Sequence, residues 1–309
     1  MTVIEASVPS LAASRTEAAP PWKVWTALWI VYIVWGSTYL GIALMVETMP
    51  PLLAAGARFI AVGVILLPIL VVKRGLSVLR PSRAQLLSAA LVGLLLPGAN
   101  AVISVAEKTV PSGVAALLVA SIPLWVILLR AVSGEKIKGR SIVAVLVGFG
   151  GVALIVNPSG DATIFGLLAC VGAAVMWAIG SFASPRISLP RDPLVSTAWQ
   201  SLLGGLIIIA VALMAGEAGD VHPSEWSTRS IAGLVYLITF GSLLAYTSYA
   251  WLLQNAPISK VSTYAYVNPV VAIALGWLIL SESITPLTLV GAGVIVASVA
   301  LVVRAESRT

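Results

Sequence analysis

The chain has 309 residues, of which 59% are apolar and only 10% are charged, and its formal net charge is +6. This composition excludes a soluble α/β protein with buried apolar strands, because such a fold needs charged helices between the strands and the sequence has none. The basic residues are scattered over short segments, so the positive charge does not indicate a nucleic-acid-binding face. The single cysteine, Cys170, excludes an intrachain disulfide.

Ten apolar segments follow one another between Trp25 and Arg304, separated by short polar breaks. A hydrocarbon core about 30 Å thick requires about 20 helical residues to cross it, and the segments lack the alternation of a barrel strand. We therefore predict an all-α polytopic membrane protein with ten transmembrane helices, a disordered tail at 1–23 and a short tail at 305–309. The predicted spans are 25–45, 52–72, 84–104, 112–132, 141–157, 164–184, 194–215, 230–252, 261–280 and 286–303.

The distribution of lysine and arginine predicts the orientation of the chain. Ten spans place both termini on one side, and the termini and loops of that side carry 15 basic residues, against 2 on the other side. Cytoplasmic segments of membrane proteins are enriched in lysine and arginine. Both termini are therefore predicted to be cytoplasmic.

The two halves of the chain align weakly with each other. Offsets of 142 and 146 residues align a set of aromatic, polar and proline positions, which are Trp35 with Trp177, Arg58 with Gln200 and Pro123 with Pro269. The matches keep their order along the chain, which favours a duplication with one repeat over 24–159 and a second over 160–304. Each repeat has five spans, so the second enters the membrane from the opposite face. Inverted repeats are typical of alternating-access transporters with a binding site near the midplane.

Several short motifs also resemble one known family. They are Trp35-Gly36-Ser37-Thr38-Tyr39-Leu40, the segment 51–59 with Arg58-Phe59, Ala106-Glu107-Lys108-Thr109-Val110-Pro111-Ser112-Gly113, Pro123-Leu124-Trp125, Gly134-Glu135, and Tyr266-Val267-Asn268-Pro269 followed by Ser281-Glu282. Together they resemble the EamA-type permeases of the drug/metabolite transporter superfamily, over about residues 24–304. In the second repeat, Ser281-Glu282 replaces the Gly-Glu that is usual in that family.

The resemblance implies ten helices around a central cavity, and the export of amino acids or other small metabolites across a bacterial inner membrane. An importer or exchanger of another small solute, such as a sugar, a nucleobase or a drug-like compound, is the alternative. A channel is disfavoured, because no ring of charged or carbonyl groups is evident. The sequence has no P-loop and no Gly-x-Ser-x-Gly motif, so we expect no enzymatic activity and no cofactor. The expected partners are a small-molecule substrate and the lipid bilayer, without nucleic acid. A monomer is sufficient for this function, and the sequence leaves the oligomeric state open.

Arg58 is the charged residue that lies well inside a predicted span, about 9 Å deep at a rise of about 1.5 Å per residue. An arginine at a helix centre costs about 2.5–3.5 kcal/mol on insertion scales. One interpretation is that its side chain extends towards the headgroups or bonds to a helix carbonyl. The interpretation that we favour places it in the cavity, where it attracts an anionic group or gates the outer mouth.

Other residues are candidates because they place aromatic or polar groups near the middle of a span. Two central tryptophans can line a cavity and hold an ammonium group by cation–π contact, although close helix packing is the alternative for them. Two prolines in the fourth and ninth spans are predicted hinges, since each removes a backbone hydrogen bond; these are Pro123 and Pro269. The candidate substrate-binding residues are Trp35, Ser37, Tyr39, Arg58, Asn100, Ser121, Trp177, Ser181, Gln200, Tyr246 and Asn268.

The acidic residues bear on energy coupling and on the helix ends. No Asp, Glu or His lies in the middle of a predicted span, and a proton-driven carrier needs a titratable group there. We therefore expect downhill transport or substrate exchange, with protons binding at most peripherally near Glu107. Glu135 and Glu282 are predicted to accept hydrogen bonds from the first amides of the helix that follows each of them.

Overall fold

The structure is a computed structural model that describes residues 20–155, 162–256, 258–261 and 263–306. Within these ranges every regular element is helical, which confirms the all-α prediction for this part of the chain. The α-helices are α1 (Pro21–Met45), α2 (Pro51–Arg74), α3 (Arg83–Ala106), α4 (Ser112–Val119), α5 (Ile122–Val132), α6 (Gly139–Ile155), α7 (Ile164–Ala183), α8 (Pro193–Met214), α9 (Thr228–Tyr236), α10 (Ala245–Asn255), α11 (Ile258–Val261), α12 (Tyr264–Leu280) and α13 (Pro286–Glu306). A π-helical segment, Leu237–Leu244, joins α9 to α10.

Eight helical stretches among the described residues are long and apolar enough to cross a membrane. Two shorter apolar helices, α6 and α12, have 17 residues each and occupy the predicted fifth and ninth spans. At about 1.5 Å per residue such a helix rises about 26 Å, slightly less than the roughly 30 Å of a hydrocarbon core. α12 begins at Tyr264 rather than at 261, and positions 156–157 of the fifth predicted span lie outside the described residues.

The two predicted hinge prolines have different local structures. Pro123 lies in the first turn of α5, directly after the chain leaves α4 at Ala120 and Ser121. Pro269 lies inside α12, which continues through it to Leu280. Both prolines lack the amide hydrogen of a helical residue, but the helix is interrupted only next to Pro123. The sequence alignment pairs the two positions, whereas their backbone environments differ.

Helix α8 packs along both α2 and α3, and glycine makes the second contact possible. A Cβ atom at Gly93 would lie 2.5 Å from the carbonyl oxygen of Gln200, and one at Gly204 would lie 2.5 Å from the carbonyl oxygen of Gly93. Backbone atoms cannot move aside as a flexible side chain can. Small residues of this kind allow close helix packing in membranes.

Two clusters of buried side chains lie at different levels along α1. The first contains Leu28, Val31 and Tyr32 of α1 with Leu252 of α10. The second contains Ile42 and Met45 at the end of α1, Val46 and Met49 just after it, and Leu237 of the π-helical segment. Between these two levels, the middle of α1 faces the centre of the molecule, where the cavity described below lies.

Large apolar side chains cover the outside of the helices. Val72 is 87% exposed, Met214 is 80% exposed, and many leucines and isoleucines are more than half exposed. A contiguous apolar exterior of this kind is unfavourable in water and favourable in lipid. The exterior thus agrees with the span prediction.

Candidate functional site

A cavity of about 90 Å³ lies at the level of residues 35 to 42 of α1, between the two buried clusters. Its lining combines one cation, two amides, several aromatic rings and branched aliphatic side chains. The lining residues are Trp35, Thr38, Tyr39, Ile42, Arg58, Asn100, Ile103, Val119, Ile122, Trp177, Gly241, Tyr246, Tyr264 and Asn268.

The guanidinium of Arg58 is the charged group of this cavity. The side chain is only 4% exposed, so it does not extend to the surface, and the prediction that it faces the cavity agrees with its place in the lining. Its Nε–H donates to Ser242 Oγ over 3.1 Å. Among the described residues no carboxylate forms an ion pair with it. The Arg58 guanidinium also lies over the ring of Phe59, 4.9 Å from its centroid. A buried cation whose recorded partners are a neutral hydroxyl and an aromatic ring is well suited to bind an anion.

The π-helical segment brings backbone and hydroxyl groups to the cavity wall. Trp35 Nε1–H donates to the carbonyl oxygen of Gly241 over 3.2 Å, and the next residue, Ser242, accepts from Arg58. A Cβ at Gly241 would lie 3.0 Å from Thr38 Cγ2 and 3.5 Å from Arg58 Nη2. π-Helical turns are rare and are frequently found at functional sites. The wider turn and the small residue together give Arg58 and Trp35 their positions.

Four aromatic rings form a cluster on one wall, which we call the aromatic cluster. The ring of Trp35 lies 5.5 Å from that of Tyr246, 5.0 Å from that of Tyr249 and 5.2 Å from that of Tyr264. Tyr249 and Tyr264 lie edge to face, with ring centroids 5.7 Å apart. These separations are typical of favourable aromatic pairs. The cluster presents polarised rings and hydroxyl groups near the cavity.

Two amide side chains complete the polar part of the lining. Asn100 Nδ2 donates to the carbonyl oxygen of Leu96, one turn earlier in α3, over 3.2 Å. The Asn268 amide, in the orientation that satisfies its hydrogen bonds, donates to the carbonyl oxygens of Tyr264 and Tyr32 over 3.2 Å each. Asn268 therefore ties α12 to α1 next to the site.

Seven of the predicted binding residues meet in this cavity, and they are Trp35, Tyr39, Arg58, Asn100, Trp177, Tyr246 and Asn268. Four others lie elsewhere. Ser37 bonds to Ile33 of its own helix and to the Tyr236 hydroxyl, and Ser121 bonds to Leu118. Ser181 is exposed on α7, and Gln200 donates to Ser196 Oγ over 2.7 Å on α8. For these four, the geometry does not support the predicted contact with the cavity.

A smaller cavity of about 60 Å³ adjoins the first. The smaller cavity also touches both Pro123 and Pro269. The two cavities share five lining residues, which are Tyr39, Val119, Ile122, Tyr264 and Asn268. The predicted hinge prolines thus line one cavity beside the candidate site, although they come from different halves of the chain.

Sequence reasoning did not single out several lining residues. Ile42, Ile103, Val119 and Ile122 carry no signal in a chain whose spans are apolar throughout. Thr38 lies inside the Trp35–Leu40 motif, so the motif itself was the available signal. The π-helical segment has no sequence signature that we recognise.

Two acids at helix ends differ from their predicted roles. Glu282 accepts hydrogen bonds from the amides of Ser112 and Gly113, over 2.7 and 3.1 Å, which belong to α4 rather than to the helix that follows Glu282. Glu135 pairs with Arg130 over 2.7 Å and with Arg186 over 2.6 Å. The hydrogen bond from Arg130 and the nearby guanidinium groups lower the pKa of the Glu135 carboxyl. Both predictions of a bond to the following helix were wrong.

Within the described ranges, no group of three or more His, Cys, Asp or Glu side chains is placed to hold a metal ion. The polar groups of the cavity are a cation, two amides, an aliphatic hydroxyl, phenols and two indoles, which bind and orient a ligand. The arrangement is suited to recognition of a small molecule with an anionic group.

The EamA-like transporter family matches residues 23–157 and 164–304 of this chain. The inner membrane transporter YedA of Escherichia coli K12 is 37% identical over 281 residues, which cover 89% of each chain. Protein PecM of Dickeya dadantii is 31% identical over 264 residues, 84% of each chain. A solved structure titled only as a crystal structure of a protein has a TM-score of 0.63 at 19% identity, covers 92% of this chain and 98% of that one, and shows a likeness of fold.

Proposed function

Because the chain belongs to the EamA-like transporter family, we propose that it is an alternating-access carrier that exports small metabolites, such as amino acids, across the bacterial inner membrane. Relatives named as inner membrane transporters support a multi-pass protein of that membrane. The observation that carries the proposal is the buried cavity with Arg58 in its wall.

Charge balance favours a substrate with an anionic group. A buried guanidinium is unfavourable without a counter-charge, and the recorded side-chain partners of Arg58, Ser242 and the ring of Phe59, carry no charge. A carboxylate can accept two parallel bonds from a guanidinium, which gives both affinity and orientation. An entering carboxylate would therefore gain more from this cavity than a neutral group of the same size.

The remaining wall suits the rest of an amino acid. The aromatic cluster offers ring faces that attract an ammonium group by cation–π contact, with Trp35 at its centre. Ile42, Ile103 and Val119 offer an apolar surface for a side chain. A zwitterion with a small apolar side chain thus complements the cavity better than a sugar or a nucleobase, which are the alternative substrates.

The packing of the helices supports ten crossings in two inverted repeats. α1 packs against α12. In the repeat alignment α7 corresponds to α1, and α4 and α5 correspond to α11 and α12. The equivalent contact is also present, because α7 packs against α4 and α5. The counterparts α2 and α8 pack against each other, as do α6 and α13. Exchanging the halves therefore preserves these contacts. In this proposal Pro123 and Pro269 act as hinges, and both termini are cytoplasmic.

Buried side chains beyond both ends of the cavity favour a carrier over a channel. Leu28 and Tyr32 pack beyond one end, and Met45 and Met49 beyond the other. A carrier closes its site on both sides during the cycle. Counterflow in proteoliposomes, with a panel of amino acids, sugars and nucleobases, tests the proposal. Saturable exchange that is limited to amino acids is the expected result, and non-saturable flux would indicate a channel.

Arg58→Ala sharpens this test. Losing a charge-assisted pair worth about 1.5–3 kcal/mol should weaken the apparent affinity by about 10- to 100-fold. Arg58→Lys should restore only part of it, because an ammonium cannot reproduce the planar fork. Arg83→Ala, which changes an exposed arginine at the start of α3, is the matched control. Unchanged transport by Arg58→Ala at normal membrane abundance would refute the role of Arg58.

A further inference from the structure

Glu107 is a buried acid whose carboxylate oxygens have no hydrogen-bond partner of good geometry in the described structure, and the main chain of Ala43 approaches them only loosely. Its exposed fraction is 8%, and its main-chain amide is satisfied by the carbonyl oxygen of Ile103 over 2.9 Å. Buried polar atoms are nearly always paired. It is therefore unusual that both oxygens of one carboxyl group are unpaired. We interpret this as a sign that the carboxyl group binds a ligand.

The neighbours of Glu107 cannot balance a negative charge. The titratable groups that face it are Tyr39 of α1, Cys170 of α7 and Glu282 from the turn between α12 and α13. The adjacent Lys108 is exposed and forms no recorded ion pair. Glu282 accepts hydrogen bonds from two main-chain amides of α4, so none of these three neighbours is a cation.

An ionised Glu107 would therefore be a desolvated anion beside a second anion. Both effects favour the neutral acid. Burial, with a smaller contribution from Glu282, raises the pKa of Glu107 well above its ordinary value, and the main chain of Ala43 offsets only part of this increase. The ligand that fits two unpaired carboxyl oxygens in a site without a cation is a proton.

Tyr39 links this acid to the cavity. Its side chain lines both cavities, including the smaller one that Pro123 and Pro269 line, and it packs against the buried cluster that contains Ala106 and Cys170. A change in the protonation of Glu107 therefore acts on a residue that also touches the substrate site. The sequence placed Glu107 near an interface, and the fold buries it.

We propose that Glu107 is a proton-binding site, and that its proton is exchanged for substrate during transport. The proton enters from the Glu107 end and is held as a carboxylic acid while that end is closed. When the opposite end opens, the O–H bond breaks, the proton leaves to water through the cavity beside Tyr39, and the carboxylate remains. Each cycle then moves one proton against one substrate molecule. The binding site stands without the proposed function, whereas the exchange rests on it.

Infrared spectroscopy of the purified full-length protein tests the binding site directly. A free glutamic acid titrates near pH 4.3, so a protonated C=O band that persists at neutral pH is expected from Glu107. The band should disappear in Glu107→Gln and stay in Glu47→Gln, whose parent residue is ion-paired with Arg229 over 3.4 Å. A band that is absent, or that survives in Glu107→Gln, overturns the proposal. So does a band that is lost when sodium chloride replaces choline chloride, since that indicates a metal cation.

The pH dependence of unfolding gives an independent measurement. Consider an acid that stays protonated in the folded protein but ionises in the unfolded chain. As the pH rises above the pKa of the free acid, the unfolded state gains stability relative to the folded state, so the free energy of unfolding falls. The fall ends at the pH at which the acid in the folded protein also ionises. The thermal midpoint of the wild type should therefore fall between about pH 5 and pH 8. Glu107→Gln should lose this fall and Glu47→Gln should keep it. Parallel curves for all three proteins would contradict the proposal.

The exchange itself is tested in liposomes, with the amino acid that gives the strongest counterflow. At zero voltage, one proton per zwitterion predicts accumulation of about tenfold for each pH unit of gradient. Accumulation by Glu107→Gln should not respond to the gradient, whereas accumulation by Glu47→Gln should. A wild type that ignores the gradient would overturn the exchange. Absent counterflow in the wild type would instead refute the proposed function and leave the infrared result standing.

Discussion

Glu135 aligns with Glu282 in the second half of the chain at an offset of 147 residues, one insertion after the match of Pro123 with Pro269. The structure gives the two acids different kinds of partners. We call Glu282 with Ser112, Gly113 and Gly276 the Glu282 junction. There the carboxylate accepts two main-chain amides at the start of α4 and is partly buried. No cation takes part in the hydrogen bonds recorded for it.

The Glu135 junction consists of Arg130, Glu135 and Arg186. Its carboxylate is about one-third exposed, and both of its oxygens bond to guanidinium groups rather than to backbone. Exposed ion pairs contribute little to stability, because solvent and salt screen them. Charge-assisted bonds to sheltered amides contribute more, since breaking them leaves donors unpaired.

The contrast indicates which end of the molecule opens more easily. Opening the Glu282 junction exposes unpaired amides of α4, whereas opening the Glu135 junction exchanges ion pairs for water. In a carrier, such a difference sets the relative populations of the two open states. We therefore expect the Glu282 end to be the more firmly closed one in this state.

Glu282→Ala should have the largest effect. It removes two bonds to a charged acceptor, and we expect a loss of about 3 kcal/mol in unfolding free energy. Thermal or denaturant unfolding in detergent, followed by tryptophan fluorescence, measures this. Glu135→Ala is the matched control at the other junction. An equal loss in both variants would remove the distinction between the two ends.

Gly276→Ala should destabilise the same junction without changing the acid. A Cβ at this position would lie 2.3 Å from Glu282 Oε2 and 2.9 Å from Ser112 Oγ. The carboxylate must move away and weaken its bonds to α4, so we expect a loss of about 1–3 kcal/mol. The measurement is the same unfolding experiment.

Gly293→Ala in α13 is the control for this change. No atom lies within 4 Å of a Cβ at Gly293, so the substitution should be neutral or should stabilise the helix by up to about 1 kcal/mol. A loss in Gly293→Ala as large as that in Gly276→Ala would indicate a general intolerance of alanine at helical glycines. It would then say nothing specific about Glu282.

The sequence predicted the parts of this molecule that depend on departures from an apolar background. Arg58 and Trp35 stand out because a charge or an indole is exceptional near the middle of a span, and both line the cavity. Ser37 and Gln200 were misplaced because polar groups on a helix can bond to a serine or a carbonyl one turn away, which needs no cavity.

Other features had no equivalent signal in the sequence. Ile42 and Val119 line the cavity, but aliphatic residues fill every span. Glu107 is near a helix end in the sequence, and its burial depends on how α1 and α7 pack around it. The partners of Glu282 lie about 170 residues away in the chain, so only the tertiary fold brings them together.

Glu135→Ala should have the smallest effect on the free energy of unfolding. The dependence of this effect on pH and on salt concentration is what makes the variant informative. The hydrogen bond from Arg130 and the nearby arginines lower the pKa of Glu135. A carboxyl group whose pKa is lowered in the folded protein stabilises the fold at pH values above the pKa of the free acid. This stabilisation is lost as the pH falls through the lowered pKa of the folded state. At neutral pH and low salt we expect a small difference in unfolding free energy between wild type and variant, well below that of Glu282→Ala, because solvent screens exposed pairs.

That difference should shrink as the salt concentration rises, because salt screens exposed pairs, and it should vanish in acid. The Glu282→Ala difference should change little with salt, since its bonds run to sheltered amides. Unfolding curves at two salt concentrations and at acidic and neutral pH test whether the Glu135→Ala and Glu282→Ala differences respond to salt and pH in these different ways. A Glu135→Ala difference that resists both salt and acid would mean that the arginines hold a buried contact, and the two ends would then be closed by interactions of similar strength.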